Sequence, residues 1–162
     1  MSMRNVLVVL STAHLMLAGA LVVLAQDDGA AKAKVNDLVK ASARSDIESI
    51  DVLRLPKYYT SQVAIRPEEM EKRWFYRMTF RELRPPKEKL IIQALGAANI
   101  HRSDREWDLR WGIVFYSKSG QRRIAALYFD ETGRHGSVDQ IPVSFAPDFF
   151  TRLKGALHLS IE

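Results

Sequence analysis

The chain has 162 residues, with 24 Lys and Arg against 19 Asp and Glu, for a formal charge of +5. It contains no cysteine, which excludes disulfides, thiolate catalysis, iron–sulfur clusters and cysteine-ligated zinc. The length predicts a single domain with an ordinary apolar core. The mild positive balance bears on solubility and encounter, not on fold.

Residues 1–25 read MSMRNVLVVLSTAHLMLAGALVVLA, in which Arg4 is the only charge. From Val6 to Ala25 the run is apolar apart from Ser11, Thr12 and His14. Val23-Leu24-Ala25 sets small residues at the two cleavage positions, and Gln26-Asp27-Asp28 follows. The pattern predicts a secretory signal peptide cleaved after Ala25, and hence a periplasmic or secreted protein. The alternative is an uncleaved anchor formed by residues 6–25, which are about long enough for one span. Membrane contact is expected only if this leader is retained. A cysteine-free exported protein fits a periplasm, where disulfides are optional, and export argues against a nucleic-acid partner.

Residues 26–34, QDDGAAKAK, read as a flexible segment, and residues 35–162 as one α+β domain. Val35, Leu38, Val39 and Ser42 recur at helical spacing and predict a short amphipathic helix ending near Arg44. IESIDVLRLP predicts a strand from Ile47 to Leu55, closed by Pro56, and 57–65 predicts a weaker one. Pro67 opens a short helix, PEEMEKR, whose Glu68 and Glu69 suit the positive end of the helix dipole.

WFYRMTFREL then alternates. Trp74, Tyr76, Met78 and Phe80 form the expected core side, and Phe75, Arg77, Thr79 and Arg81 a wetter side. Pro85-Pro86 starts a longer helix with Leu90, Ile91, Ala94, Leu95 and Ala98 on one stripe and Asn99 as its stop.

Three strand-like runs follow at 107–116, 121–129 and about 137–145, separated by SKSG and DETGRHG. They predict a C-terminal three-stranded meander over about 107–145, within a mainly antiparallel sheet packed by two or three short helices. Turn parity predicts a core face of Trp107, Leu109, Trp111, Ile113 and Phe115 with Ile124, Ala126 and Tyr128. The opposite, mixed face carries Asp108, Arg110, Gly112, Val114 and Tyr116 with Arg123, Ala125, Leu127 and Phe129. Pro147-Asp148 opens a final helix with Phe149, Phe150, Leu153 and Leu157 inward.

Three groups could carry chemistry. FDETGRHGS (129–137) offers Asp130, Glu131, His135 and Ser137, the residue types of a hydrolase or a metal site. Neighbours in sequence rarely form a triad, which draws its members from distant segments. The G-x-S-x-G elbow and the H-E-x-x-H pattern are both absent. A turn made by Thr132-Gly133 and relaxed by Gly136 is the simpler account.

HRSDREWD (101–108) brings His101 and Asp104 into a polar loop, without the ordered spacing of a calcium loop. The arginines form the third group, with Arg77, Arg81 and Arg84 in one region and Arg110, Arg122, Arg123 and Arg134 in another. Arg110, Arg123 and Arg134, with Tyr116, are the candidate binding residues, since arginine beside an aromatic recognises carboxylates or phosphates. Solvation or internal pairing explains them equally.

No cofactor or metal is expected. In overall form the sequence resembles small exported bacterial proteins that bind or inhibit other proteins, a likeness of architecture and not of motif. The leading expectation is therefore a non-enzymatic binding module, an inhibitor or immunity-type protein with a protein partner. The alternatives are a hydrolase using His101 or His135 with nearby acids, and a protein that holds an anionic envelope component through its arginines.

Overall fold

The architecture follows from two strands that are apolar on both faces. The computed structural model describes residues 29–59, 61, 63–81, 85–118 and 122–159. Strands β4 (Trp111–Ser117) and β5 (Arg123–Phe129) are almost wholly buried. Such strands need cover on both sides, and the rest of the chain supplies it. The sheet also contains β1 (Ile47–Arg54), β2 (Tyr76–Arg81), β3 (Ile100–Arg102), β6 (His135–Val138) and β7 (Ile141–Phe145). Its order is β2-β1-β4-β5-β6-β7-β3, and every pairing is antiparallel. The α+β class and the C-terminal meander are therefore present.

One face carries Ile50, Val52, Trp111, Ile113, Phe115, Leu127, Phe129, Val138, Val143 and Phe145, the larger core. Three helices cover it: α1 (29–43), α3 (Pro85–Gly96) and α4 (Phe149–Leu157). In α4 the residues Phe149, Phe150, Leu153 and Leu157 are buried, as the spacing predicts. Each such side chain contributes about 1.5–3 kcal/mol on burial. The second face has a smaller core of Leu53, Leu55, Ile65, Met70, Leu109, Val114, Ala126 and Tyr128. Helix α2 (Pro67–Arg73) lies over that face, joined by Leu55 and Ile65 from the residues before it.

Several sequence expectations are corrected. Helix α1 already occupies 29–34, part of the segment expected to be flexible. Ala31 is buried and extends the Val35, Leu38 and Ser42 stripe by one turn. Residues 57–65 form no strand among those described; a turn at 57–58 follows Pro56. Ile65 is instead held by Asp108, whose Oδ1 accepts its N–H at 3.2 Å, and by Leu109, whose N–H donates to its carbonyl at 3.3 Å. Helix α3 ends at Gly96, three residues before the expected stop. The run 137–145 is two strands, because Asp139 takes a left-handed φ of 51° and turns the chain between β6 and β7. The meander thus has four strands.

The expected core face is also corrected. Tyr116 faces Arg123, as turn parity predicts, but Phe115 faces Ala125. Ile124 is thus a bulge residue, and one extra residue reverses the side of everything beyond it. Trp111, Ile113 and Phe115 therefore share a face with Ala125, Leu127 and Phe129, while Val114 lies with Ala126 and Tyr128. Trp107 and Leu109 precede the strand and pack in the smaller core instead.

Candidate functional site

The turn after β5 is held by its own polar side chains. Thr132 Oγ1 donates to Asp130 Oδ1 at 2.9 Å, and the Asp130 N–H donates to the His135 carbonyl at 2.8 Å. Gly133 has φ 70°, and a Cβ there would meet the Phe150 ring. A Cβ on Gly136 would run into the backbone of Tyr128 and Phe129. Both glycines are thus sterically required, one also by its dihedral. Glu131 turns back to Arg54, a buried guanidinium that reaches both its carboxylate oxygens, at 2.9 and 3.2 Å. That hydrogen bond and the Arg54 charge hold the Glu131 carboxyl below its usual range. Arg54 also lies 4.2 Å above the Trp111 ring.

His101 and His135 do share a face. Both are cross-strand partners of Ser144, one through β3 and the other through β6. His135 Nδ1 is hydrogen-bonded to Ser144 Oγ at 3.2 Å, and its ring stacks on Trp107 at 3.9 Å. His101 is exposed on the far side of Ser144. Asp104 turns to Arg102 at 3.8 Å. Asp130 meets His135 through the backbone, its Oδ1 3.4 Å from the His135 N–H. Among the described residues no carboxylate bonds to either imidazole, and no group of three metal-ligating side chains occurs.

The candidate binding residues separate. Arg110 donates to the Tyr59 carbonyl at 2.7 Å and pairs with Asp108. It stands at the far end of β4 from Tyr116, six residues or about 20 Å along a strand. Arg134 is exposed and its guanidinium has no partner among the described residues. Arg123 is consumed in a latch under α2. It donates to Glu71 at 2.6 Å, to Asp139 at 2.8 Å and to the Tyr128 hydroxyl at 3.3 Å, while that hydroxyl donates to Glu71. Burial first, then the Glu71 hydrogen bond, raise Tyr128 above the ordinary tyrosine pKa. Burial opposes the Arg123 charge, but the Asp139 hydrogen bond and the charges around it outweigh that opposition and raise its pKa. The latch docks a helix onto the sheet and leaves little of Arg123 for a ligand.

The surface that remains open is β2. It is a terminal strand of the sheet and, among the described residues, pairs only with β1. Five of its six residues are exposed, and Phe80 is the exception. The expected core role of Trp74 is corrected: Trp74 is 41% exposed, Phe75 58%, Tyr76 52% and Met78 41%. The alternation is real, since Phe80 packs against the larger core, but among the described residues no element extends over the rest of that side.

On the other side Arg77, Thr79 and Arg81 oppose Leu53, Asp51 and Ser49. Asp51 is buried inside an apolar strand and accepts from Arg77 and from Thr79 Oγ1, each at 2.6 Å. These groups, with Glu48 and Tyr116, line a polar cleft of about 280 Å³. Burial, then the Asp51 and Glu71 charges, raise the Tyr116 pKa. Asp51 was the legible hint, an acid between Ile50 and Val52 that demands a partner. A second slot of about 200 Å³ lies between Pro67, Trp107, Ser137 and Pro142.

No family model matches the chain, and no curated protein or solved structure matches it. No described helix is long and apolar enough to cross a membrane. Residues 1–28, with the expected leader, lie outside the described residues.

Proposed function

We propose that the protein is an exported, non-enzymatic binding module that receives an extended segment of a partner protein along the free flank of β2. One observation carries this reading: β2 is an aromatic-bearing strand with a single neighbour and almost no cover among the described residues. An edge of this kind is a template for strand addition. Natural sheets commonly blunt such edges with short strands, charged side chains or a covering element, and β2 carries its charge on one face only. Here one side of the strand keeps Tyr76 and Met78 in water. Aromatic residues and methionine are enriched in protein interfaces. The export half of the reading rests on residues 1–25 alone.

The test is site-specific photocrosslinking in the native host. A photoreactive residue replacing Thr79 is expected to trap one discrete partner, and the same residue replacing the exposed Arg152 is expected to trap none. Met78→Asp should abolish the adduct while leaving thermal unfolding within a few degrees. Equal labelling from both positions, or none from Thr79, contradicts the reading.

Hydrolysis through His135 is favoured by one contact, its bond to Ser144. A serine needs more than a neighbouring imidazole: the base must be oriented and an oxyanion stabilised. His135→Ala that leaves every measured turnover intact dismisses it.

A further inference from the structure

We infer that β2 selects a partner segment in which acidic and apolar side chains alternate, the acids lying beside Arg77 and Arg81 and the apolar residues beside Tyr76 and Met78. The inference rests on the edge-docking reading above and adds the chemistry of the partner. Successive side chains of a strand point to opposite faces. The two faces of β2 differ sharply: arginine, threonine and arginine on one, tyrosine, methionine and phenylalanine on the other. The strand itself contains no acid. A strand added to the free flank sets its side chains about 4.5–5.5 Å from those of β2, face by face. Each face of the newcomer is therefore read separately.

The arginine face is prepared for a carboxylate. Arg81 is exposed and has no partner among the described residues. Arg77 spends one nitrogen on Asp51 and keeps 47% of its side chain in solvent. A guanidinium has five donors in a planar fork, so the Asp51 contact fixes Arg77 without exhausting it. The opposite face holds two large exposed apolar side chains, which favour burial.

The same geometry disfavours a second copy of this chain. Antiparallel self-pairing about a two-fold axis keeps the faces matched, so arginine meets arginine directly or on the diagonal. Like charges in those positions are destabilising. A basic partner meets the same obstacle.

The test is titration of the full chain with three synthetic extended peptides, in which valine alternates with glutamate, serine or lysine. Binding is followed at the backbone amides of residues 76–81. The glutamate peptide is expected to bind tightest and the lysine peptide weakest, by about two- to five-fold per arginine engaged. The preference should shrink as salt is raised, because these charges are exposed. Arg81→Glu, at a position with no partner to lose among the described residues, should reverse the order of the glutamate and lysine peptides.

Equal binding of all three peptides at these amides leaves the edge reading standing and overturns the inference. A preference indifferent to salt, or unchanged by Arg81→Glu, also overturns it. Failure of every peptide to perturb residues 76–81 overturns both. Self-association of the free chain through the same amides makes the occupant a second copy and overturns the inference alone.

Discussion

Strands β5 and β2 share residue types and behave as opposites. RIAALYF and YRMTFR are both short, include arginine and carry two aromatic residues, but β5 is apolar on both faces while β2 alternates. Every residue of β5 from Ala125 to Phe129 is buried, whereas β2 is exposed along nearly its whole length. The difference lies in pattern and in position. Strand β5 has a neighbour on each side and helices or loops above and below. Strand β2 ends the sheet, and α3 reaches only as far as Phe80, over which Lys87 lies at 5.4 Å. Alternation reports which side chains share a face. It does not report whether that face is covered.

The contrast can be broken most severely at β5. Phe129 lies among Phe145, Phe149 and Phe150, with ring centroids 4.5–5.9 Å away. Phe129→Ala should lower stability by about 3–5 kcal/mol, read from urea unfolding.

Tyr128→Phe comes next. It removes a donor to Glu71 and a partner of Arg123, for an expected loss of about 1–3 kcal/mol. Its pH signature is distinct. The folded state holds the Tyr128 proton above the ordinary tyrosine pKa of 10.0, so the unfolded state releases that proton first. The contribution is therefore complete below pH 10 and declines as pH rises above it. The alkaline decline should be weaker in the phenylalanine variant.

Glu131 acts at the other end of the scale. Its folded pKa is lowered by Arg54, so the stability it adds is present above the ordinary carboxylate pKa of 4.5. That contribution is lost as pH falls through the depressed folded value. Glu131→Gln should flatten this acid limb, by at most about 1 kcal/mol because the carboxylate is part-exposed. The smallest effect is expected on β2. Met78→Ser should change unfolding stability by no more than about 0.5 kcal/mol, while weakening capture of an added strand.

Much of the fold was legible because its signals are local. Pro67 at the start of α2, the period-two pattern of 76–81 and the Phe149–Leu157 stripe each specify an element within a few residues. The bulge at Ile124 is not of this kind. It reflects how two strands fit together, and nothing in IAAL distinguishes a bulged isoleucine from a paired one. The turn at Asp139 hid for a related reason, since Asp139-Gln140 lacks the glycine that usually marks a tight hairpin.

The site was less legible than the fold. His101 and His135 share one sheet face, on either side of Ser144, because β3 and β6 both pair with β7, an arrangement no spacing reveals. Arg123 stands in the sequence as a candidate binding residue, its pairing unassigned, because its partners Glu71 and Asp139 come from α2 and from a turn. The exposed face of β2 reads as core in sequence, since an interface and a core call for the same side chains.

Amide hydrogen exchange on the full chain, with and without the glutamate–valine peptide, tests the central claim most directly. In the free protein the outward amides of residues 76–81 should exchange orders of magnitude faster than those of residues 125–129. Peptide should slow the β2 amides and leave β5 unchanged. Amides in β2 that are already as protected as those of β5, or that no extended peptide slows, would contradict the account.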